Sequence, residues 1–159
     1  MLSLQLLILV GIANGAPILA DYLLQQRFAT PLDCGSRFVD GRPLFGRSKT
    51  YRGIIAALTA SGLASAAMGL SLASGVVIGA GAMTGDLLSS FLKRRLGIAP
   101  SGMALGLDQI PEVMLPLLLV QQRFALTYDE IFKMSLLFLV FELLVSKILF
   151  RLRIRKQPY

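Results

Sequence analysis

Long apolar stretches recur along the chain and are separated by polar segments. A helix needs about 20 mostly apolar residues to cross a hydrocarbon core about 30 Å thick. Because lipid offers the backbone no hydrogen-bonding partner, each such stretch is predicted to be a helix. The predicted helices run from Leu2 to Leu24, Gly53 to Leu72, Gly75 to Leu92, Ile110 to Phe124 and Ile131 to Phe150. The pattern predicts an all-α integral membrane protein with five transmembrane helices, in which residues 1–159 form a single polytopic domain.

Composition supports this class. Hydrophobic residues make up 55% of the chain and the mean hydropathy is +0.68, whereas an ordinary soluble domain is roughly 45 to 50% apolar. The first stretch has no Lys or Arg before Arg27, so we interpret it as a permanent helix and not as a signal peptide. Cys34 is the single cysteine, which rules out a disulfide within the chain.

Basic residues fall mostly on one predicted side of the membrane. If five helices alternate, the connections of about residues 25–52 and 93–109 share a side with the C-terminal tail. These three segments hold Arg27, Arg37, Arg42, Arg47, Lys49, Arg52, Lys93, Arg94, Arg95, Arg151, Arg153, Arg155 and Lys156. The positive-inside rule then predicts an outside N-terminus and a cytoplasmic C-terminus. The net charge of +7 therefore marks topology, and in the tail also contact with anionic lipid headgroups; it does not indicate a nucleic-acid partner.

The first predicted cytoplasmic loop contains more than topology requires. In residues 33–53, DCGSRFVDGRPLFGRSKTYRG, acids and glycines alternate with cations without apolar periodicity. Glycine permits tight turns and close backbone approach to a ligand. The GRSKT run resembles a nucleotide-binding loop, but Arg47 and Ser48 separate Gly46 from Lys49-Thr50, and no strand precedes it. We therefore reject a P-loop fold and keep phosphate contact by backbone amides and Lys49 as a hypothesis.

Polar residues also occur inside the predicted helices. The first helix carries Gly11, Asn14, Gly15, Ile18, Asp21 and Gln25 at helical spacing, which places the polar members on one stripe. Asp21 lies near the helix C-terminus, where the helix dipole disfavours an anion, so a cationic or metal partner is expected. For Asn14, helix packing and function are both open. In the fifth helix, we expect Glu142 to form an interhelical bond.

The second and third helices are rich in Gly, Ala and Ser, including the pairs Gly75 and Gly79, and Gly81 and Gly85. Small residues let helix backbones approach closely, so this pattern indicates a compact bundle and no particular chemistry.

Asp86 lies about two turns before a cationic helix end. Ser89, Ser90 and Lys93 follow at offsets of three, four and seven, which places all four residues on one helix face. A buried carboxylate is costly unless it is paired or binds a metal. Two hypotheses follow: Asp86 has a functional role, or it forms a structural pair with Lys93.

A second carboxylate, Asp108, lies at the start of the fourth predicted helix, on the same side. Carboxylates from two helices, with cations and glycines nearby, are what Mg²⁺-assisted phosphoryl chemistry needs. The chain has no His and one Cys, so most acid–base and covalent mechanisms lack their usual groups. A nucleophile that is already an anion needs neither residue.

Four ordered motifs resemble a known family. ANGAP, LDCGSRFVDGRPLFGRSKTYRG, GDLLSSFLKRR and LDQ together resemble the CDP-archaeol synthase family, the small membrane branch related to phosphatidate cytidylyltransferases. The resemblance covers the chain from the first helix to the start of the fourth. It implies a membrane enzyme that joins CTP to a lipid phosphate with Mg²⁺ and releases pyrophosphate. It also implies a role in membrane phospholipid synthesis, with 2,3-bis-O-geranylgeranylglycerol 1-phosphate or a related lipid as substrate.

The resemblance also implies site residues. Asp86 and Asp108 would hold Mg²⁺, with Lys93 as a third catalytic group. The residues expected to contact CTP or the lipid phosphate are Asn14, Asp40, Arg42, Lys49, Thr50, Arg52, Arg94 and Arg95. The expected location is the cell membrane, with the active site on its cytoplasmic face. The sequence does not fix the oligomeric state, and a homo-oligomer is compatible with it.

Alternative functions stay open at this point. One is a phosphatidate cytidylyltransferase-like enzyme that acts on a diacyl lipid. Another is a small proton-coupled transporter in which Asp86 and Glu142 titrate, although the polar residues cluster at one membrane face. A third is a non-catalytic subunit of a membrane assembly, which would leave the Asp-Gly-rich loop without a use.

Overall fold

Helices account for the regular structure throughout the described part of the chain. The computed structural model describes residues 1–99, 102, 104 and 106–152. Its helices are α1 (Leu2–Leu24), α2 (Tyr51–Ala67), α3 (Leu72–Arg95), α4 (Gln109–Leu119), α5 (Gln121–Phe124) and α6 (Tyr128–Arg151). Two isolated bridges, between residues 31 and 50 and between residues 37 and 43, occur in the α1–α2 loop, and the described residues form no strand. The all-α prediction is confirmed. Arg153, Arg155 and Lys156, on which part of the topology prediction rests, lie outside the described residues.

The boundary between α2 and α3 differs from the predicted one. The prediction extended the second helix to Leu72, but α2 ends at Ala67 and Gly69 takes a left-handed φ of 77°. The Ser71 side chain then accepts a hydrogen bond from the Ser74 N–H at 3.1 Å and caps α3. Hydropathy did not show this stop because apolar residues continue through the turn, and Gly69 was the available signal for a helix end.

The predicted fourth helix is two helices. It was expected to run from Ile110 to Phe124, but α4 ends at Leu119 and the four-residue α5 follows Val120. At the break, the Val120 N–H donates to the Pro116 carbonyl at 3.2 Å and closes α4. Ala125 has a left-handed φ of 50° and ends α5. The capping box of Thr127 and Glu130 then starts α6.

Glycines on α3 let it pack between two neighbours. A Cβ at Gly75 or Gly79 would collide with Ser61 of α2, and a Cβ at Gly81 would lie 2.6 Å from the Pro116 Cα of α4. The two predicted small-residue pairs therefore face different helices, and their predicted role in close packing is confirmed.

An apolar core fills one end of the bundle. It joins α1, α3, α4 and α6 through Leu6, Leu9, Val10, Ile78, Val113, Leu117 and Phe138, all nearly or fully buried. These residues come from the N-terminal halves of α1 and α3, from the inner face of α4 and from α6. The opposite end of the bundle, where α1 and α3 finish, is left for polar groups.

Two of the described helices are long and apolar enough, by length and composition alone, to cross a membrane: Leu2–Leu24 and Leu72–Arg95. The second is half-buried within the protein.

Candidate functional site

A polar cavity of about 710 Å³ lies between α1, α2, α3, α4 and α6 at the end of the bundle opposite the apolar core. Its wall includes part of the α1–α2 loop. Among the described residues, five acids and five cations line it: Asp21, Asp86, Asp108, Glu112 and Glu142, and Arg47, Lys49, Arg52, Lys93 and Arg94. This balance allows buried charges to be paired, which low-dielectric surroundings require.

Asp86 pairs with the loop lysine. Lys49 Nζ lies 2.5 Å from one carboxylate oxygen of Asp86 and 2.6 Å from the other. Both side chains are about four-fifths buried, with 21% and 22% of their surface exposed. The first loop and α3 are therefore joined at the cavity wall.

Three carboxylates act on Lys49. Burial by itself would lower the pKa of the ammonium, but the charges of Asp86, Glu112 and Asp108, and the hydrogen bond to Asp86, outweigh burial and raise the pKa above its ordinary value. Lys49 therefore stays a cation throughout the neutral and mildly alkaline range.

Lys93 pairs with the second predicted carboxylate. Its Nζ lies 2.7 Å from Asp108 Oδ1 and donates to the Gly102 carbonyl at 3.0 Å. The alternative expectation of an Asp86–Lys93 pair is wrong in this structure, because each residue has a different ionic partner. Helix periodicity showed that Asp86 and Lys93 share a face but could not show that the loop supplies Lys49.

Arg94 offers an unused donor. It is 4% exposed; its Nη2 donates to the Ala99 carbonyl at 3.0 Å and its Nε contacts the Ser90 carbonyl at 3.5 Å. Its Nη1 is buried and has no hydrogen-bond partner within the described structure. An unsatisfied guanidinium N–H on a cavity wall matches the needs of a phosphate oxygen.

Asp21 was expected to have a cationic or metal partner, and in the structure that partner is Arg52. Arg52 Nη2 lies 2.7 Å from Asp21 Oδ1, and its Nη1 donates to the Gln25 and Arg27 carbonyls at 2.8 and 2.6 Å. Arg52 therefore closes the C-terminal end of α1. Thr50 caps α2 by accepting from the Gly53 N–H at 3.2 Å. Both Arg52 and Thr50 line the cavity and also hold helix ends.

The polar stripe of α1 faces the same cavity. Asn14, Ile18, Asp21 and Gln25 line it, as the helical spacing predicted. Both amide atoms of Asn14 are buried and lack a hydrogen-bond partner among the described residues. A carboxamide in this state has both a donor and an acceptor available to a ligand.

Glu112 was not among the predicted site residues. It lies on α4, is 9% exposed and lines the cavity, within electrostatic range of Asp86. The available signal was its position four residues after Asp108, which places both on one face of a helix. Glu142 of α6 also lines the cavity, within electrostatic range of Glu112.

Three predicted site residues lie outside the cavity lining. Arg95 Nη1 lies 2.5 Å from Asp40 Oδ1, and Arg42 Nη1 donates to the Arg94 and Arg95 carbonyls at 3.1 and 2.6 Å. The Arg95 guanidinium also stacks over the Phe38 ring, 4.8 Å from its centroid. These residues fasten the first loop to the end of α3.

Arg95 holds the loop and does not line the cavity. Arg95→Ala should therefore reduce activity by much less than Asp86→Asn does. We expect a lower thermal unfolding midpoint because the Arg95 side chain is mostly buried against the loop. The KM values for both substrates should change by less than about threefold, since residues that do not touch the substrates contribute little to binding. Thermal scans and steady-state kinetics on the detergent-purified protein measure both effects. A complete loss of activity in a folded variant would contradict this assignment.

The donor set suits a magnesium ion. Mg²⁺ prefers hard oxygen ligands, often uses only one or two carboxylates and keeps several waters beside substrate phosphates. Asp86 and Asp108 both line the cavity and supply such oxygens, although both are paired with lysine here. In the described residues, no three acidic, His or Cys side chains converge as a metal site. The fit therefore rests on two carboxylates with substrate phosphates completing the coordination.

Comparison with known proteins identifies the family. A family model described as "CarS-like: CDP-archaeol synthase" matches residues 21–159. The CDP-archaeol synthase of Sulfurisphaera tokodaii is 31% identical over 93% of this chain and 89% of its own length. The chain belongs to the CDP-archaeol synthase family.

Other relatives agree. The CDP-archaeol synthase of Hyperthermus butylicus is 42% identical over 107 residues, which span 62% of this chain and 59% of that protein. A solved structure described as an intramembrane enzyme for archaeal membrane lipids biosynthesis is 30% identical, with a TM-score of 0.75, and the match covers 89% of this chain and 90% of that one.

Family membership confirms the predicted resemblance and the predicted class, a membrane enzyme of lipid biosynthesis that acts as a CTP-dependent lipid cytidylyltransferase. It favours this prediction over a transporter or an assembly subunit.

Proposed function

We propose that this cavity joins CTP to 2,3-bis-O-geranylgeranylglycerol 1-phosphate or a related lipid phosphate, forming a CDP-activated lipid and pyrophosphate. The observation that carries the proposal is the meeting of two lysine–carboxylate pairs, Lys49–Asp86 and Lys93–Asp108, with the unused N–H of Arg94 in one cavity. Transfer of the cytidylyl group needs cations that stabilise the phosphate charges, and the lysines of these pairs supply such cations.

The proposed membrane arrangement has five spans. The spans correspond to α1, α2, α3, α4 with α5, and α6, with the N-terminus outside and the C-terminus and both long loops in the cytoplasm. The contacts of Arg42 and Asp40 with the end of α3 support placing the two loops on one side. The apolar core would then lie toward the outer leaflet and the cavity toward the cytoplasm, where CTP is available.

The reaction itself needs little acid–base chemistry. An oxygen of the lipid phosphate attacks the α-phosphorus of CTP and forms a new P–O bond, while the bond from that phosphorus to the bridging oxygen breaks and pyrophosphate leaves. The nucleophile is already ionised, so no His is required. Lys49, Lys93 and Arg94 stabilise the negative charge that moves onto the leaving oxygens.

Asp86 and Asp108 would hold Mg²⁺, which when bound supplies neutralising charge to the CTP phosphates. The same carboxylates orient Lys49 and Lys93 toward the cavity before substrates bind. Arg52 would hold the end of α1 against the start of α2, and Thr50 would cap α2, at the cavity wall. In the structure, Lys49 and Lys93 are already paired with these carboxylates. Arg52 and Thr50 already hold the helix ends at the cavity wall.

The Asn14 carboxamide would bind a polar group of a substrate. It lies on α1 seven residues before Asp21, about 10 Å along the helix from it. Its buried donor and acceptor would hydrogen-bond oxygens near the lipid phosphate or on the nucleotide, replacing water lost on binding.

A panel of lipid phosphates tests the substrate. Purified protein with CTP and Mg²⁺ should convert the geranylgeranyl ether phosphate to a product heavier by one CMP unit, identified by mass spectrometry. A diacyl ester phosphate and a saturated ether phosphate serve as comparisons, and addition of EDTA should stop turnover. Faster conversion of the ester lipid would overturn the ether assignment, and undiminished turnover in EDTA would overturn the metal assignment.

A further inference from the structure

Asp33 is a buried acid that does not line the cavity. It lies in the α1–α2 loop with 7% of its surface exposed. Its Oδ1 accepts a hydrogen bond from the Gly35 N–H at 3.1 Å. Its Oδ2 accepts from the Phe45 N–H at 3.1 Å and the Gly46 N–H at 2.8 Å. One carboxylate thus holds two parts of the loop that are ten residues or more apart in sequence.

The second of these parts leads directly to Lys49. The Gly46 carbonyl accepts a hydrogen bond from the Lys49 N–H at 3.2 Å, which closes a tight turn, and Gly46 has a left-handed φ of 97°. On the other side, the Leu32 N–H donates to the Lys49 carbonyl at 2.7 Å. The backbone of Lys49 is therefore fixed by a turn anchored on Asp33 and by the residue next to Asp33.

We propose that Asp33 is a positioning residue whose carboxylate fixes the turn of residues 46–49 and so presents Lys49 to Asp86. This inference rests on the role given to Lys49 in the proposed function. A lysine side chain is long and flexible, so its amine can stay on both Asp86 oxygens only if the backbone that carries it is held. Among the described contacts, the Asp33 carboxylate accepts from the Gly46 N–H, at the start of the turn that ends at Lys49.

The ionised form of Asp33 suits this task. Burial would raise the pKa of the carboxyl, but hydrogen bonds from the N–H groups of Gly46, Gly35 and Phe45 outweigh burial and bring the pKa below its ordinary value. An asparagine at this position would keep one acceptor oxygen and place an amide donor against backbone donors. It cannot satisfy the same three N–H groups.

Site-specific amine labelling tests the proposal. In detergent-purified Asp33→Asn, we expect an amine-reactive reagent to modify Lys49 roughly tenfold faster than in the unaltered protein, because hydrogen bonds to a charged group are lost and the turn loosens. Lys93, which is held by Asp108 and the Gly102 carbonyl, is the internal reference and should not change. Rates are read residue by residue by mass spectrometry of peptides.

Asp40→Asn is the matched control. Asp40 lies in the same loop and also accepts a backbone hydrogen bond, from the Arg42 N–H at 3.1 Å, but it does not contact the turn of residues 46–49 within the described structure. Its substitution should leave the labelling rate of Lys49 within about twofold of the unaltered value, since the lost contacts lie elsewhere. An equal rise at Lys49 in both variants, or an equal rise at Lys49 and Lys93 in Asp33→Asn, overturns the proposal.

A measurement without substitution covers the case in which Asp33→Asn does not fold. In the unaltered protein, amide hydrogens of Phe45, Gly46 and Lys49 should exchange slowly and together, because one anchored unit must open for all three. Rapid or unrelated exchange at these amides overturns the proposal. Neither experiment needs CTP turnover, so both stay informative if the lipid assay fails. An active enzyme in which Asp33→Asn leaves Lys49 labelling unchanged would contradict this inference and not the proposed function.

Discussion

Replacing Asp86 by Asn should abolish formation of the CDP-lipid in a protein that still folds. The substitution removes a proposed metal ligand and places an uncharged amide against the Lys49 ammonium, which now holds both carboxylate oxygens at 2.5 and 2.6 Å. Losing one preorganised electrostatic group in an active site typically costs about 10²- to 10³-fold in rate. Turnover of CTP with the lipid phosphate, measured at saturating Mg²⁺, reports the loss.

Asp129→Asn is the control for this substitution. Asp129 also pairs with a lysine, Lys133, at 2.6 Å, but both side chains are about 70% exposed, at 68% and 71%, on α6. The same chemical change there should leave turnover within about twofold, because exposed ion pairs contribute little. A folded Asp86→Asn protein that keeps more than about a tenth of the activity would show that Asp86 serves only as a structural partner of Lys49.

Gly85→Ala should destabilise the protein and lower its activity together. A Cβ at Gly85 would lie 2.7 Å from the Glu112 backbone nitrogen and would also collide with the Pro111 carbonyl, so α3 and α4 must separate. Overpacking of this kind typically costs about 1 to 3 kcal/mol. Gly85 directly precedes Asp86, and the displaced helix carries Glu112, so the cavity should widen as the thermal unfolding midpoint falls.

Gly15→Ala on α1 provides the comparison for this second change. A Cβ there would meet no atom within 4 Å, and alanine favours a helix interior over glycine. The expected result is an unchanged or slightly higher unfolding midpoint in the same detergent. Equal midpoints for the two variants would contradict close packing of α3 against α4.

Much of the helical framework was predictable because apolar runs are long and their ends carry clear signals. α1 was placed at its observed bounds, and the polar stripe of Asn14, Asp21 and Gln25 was assigned to one face that the cavity indeed uses. The roles of the α3 glycines in packing also followed from their spacing. These are local features, since helical period and residue size determine them without knowledge of distant contacts.

Partners across the fold could not be predicted in this way. Lys49 and Asp86 are 37 residues apart, and helix periodicity offered only the nearer Lys93 as an alternative partner for Asp86. The family resemblance implied a phosphate contact for Arg95, whereas in the structure Arg95 contacts Asp40 and Phe38 of the loop. The sequence pattern identifies charged groups that need a partner, whereas the packing of loop on helix decides which partner each one finds.

The most direct test of the central claim follows the α-phosphorus of CTP. Purified protein is incubated with Mg²⁺, the geranylgeranyl ether phosphate and CTP that carries an isotopic label in either the α- or the γ-phosphate. The proposed transfer places the α-label in the lipid product and leaves the γ-label in pyrophosphate. Recovery of the γ-label in lipid, or of no label in lipid at all, would contradict a cytidylyl transfer at this site.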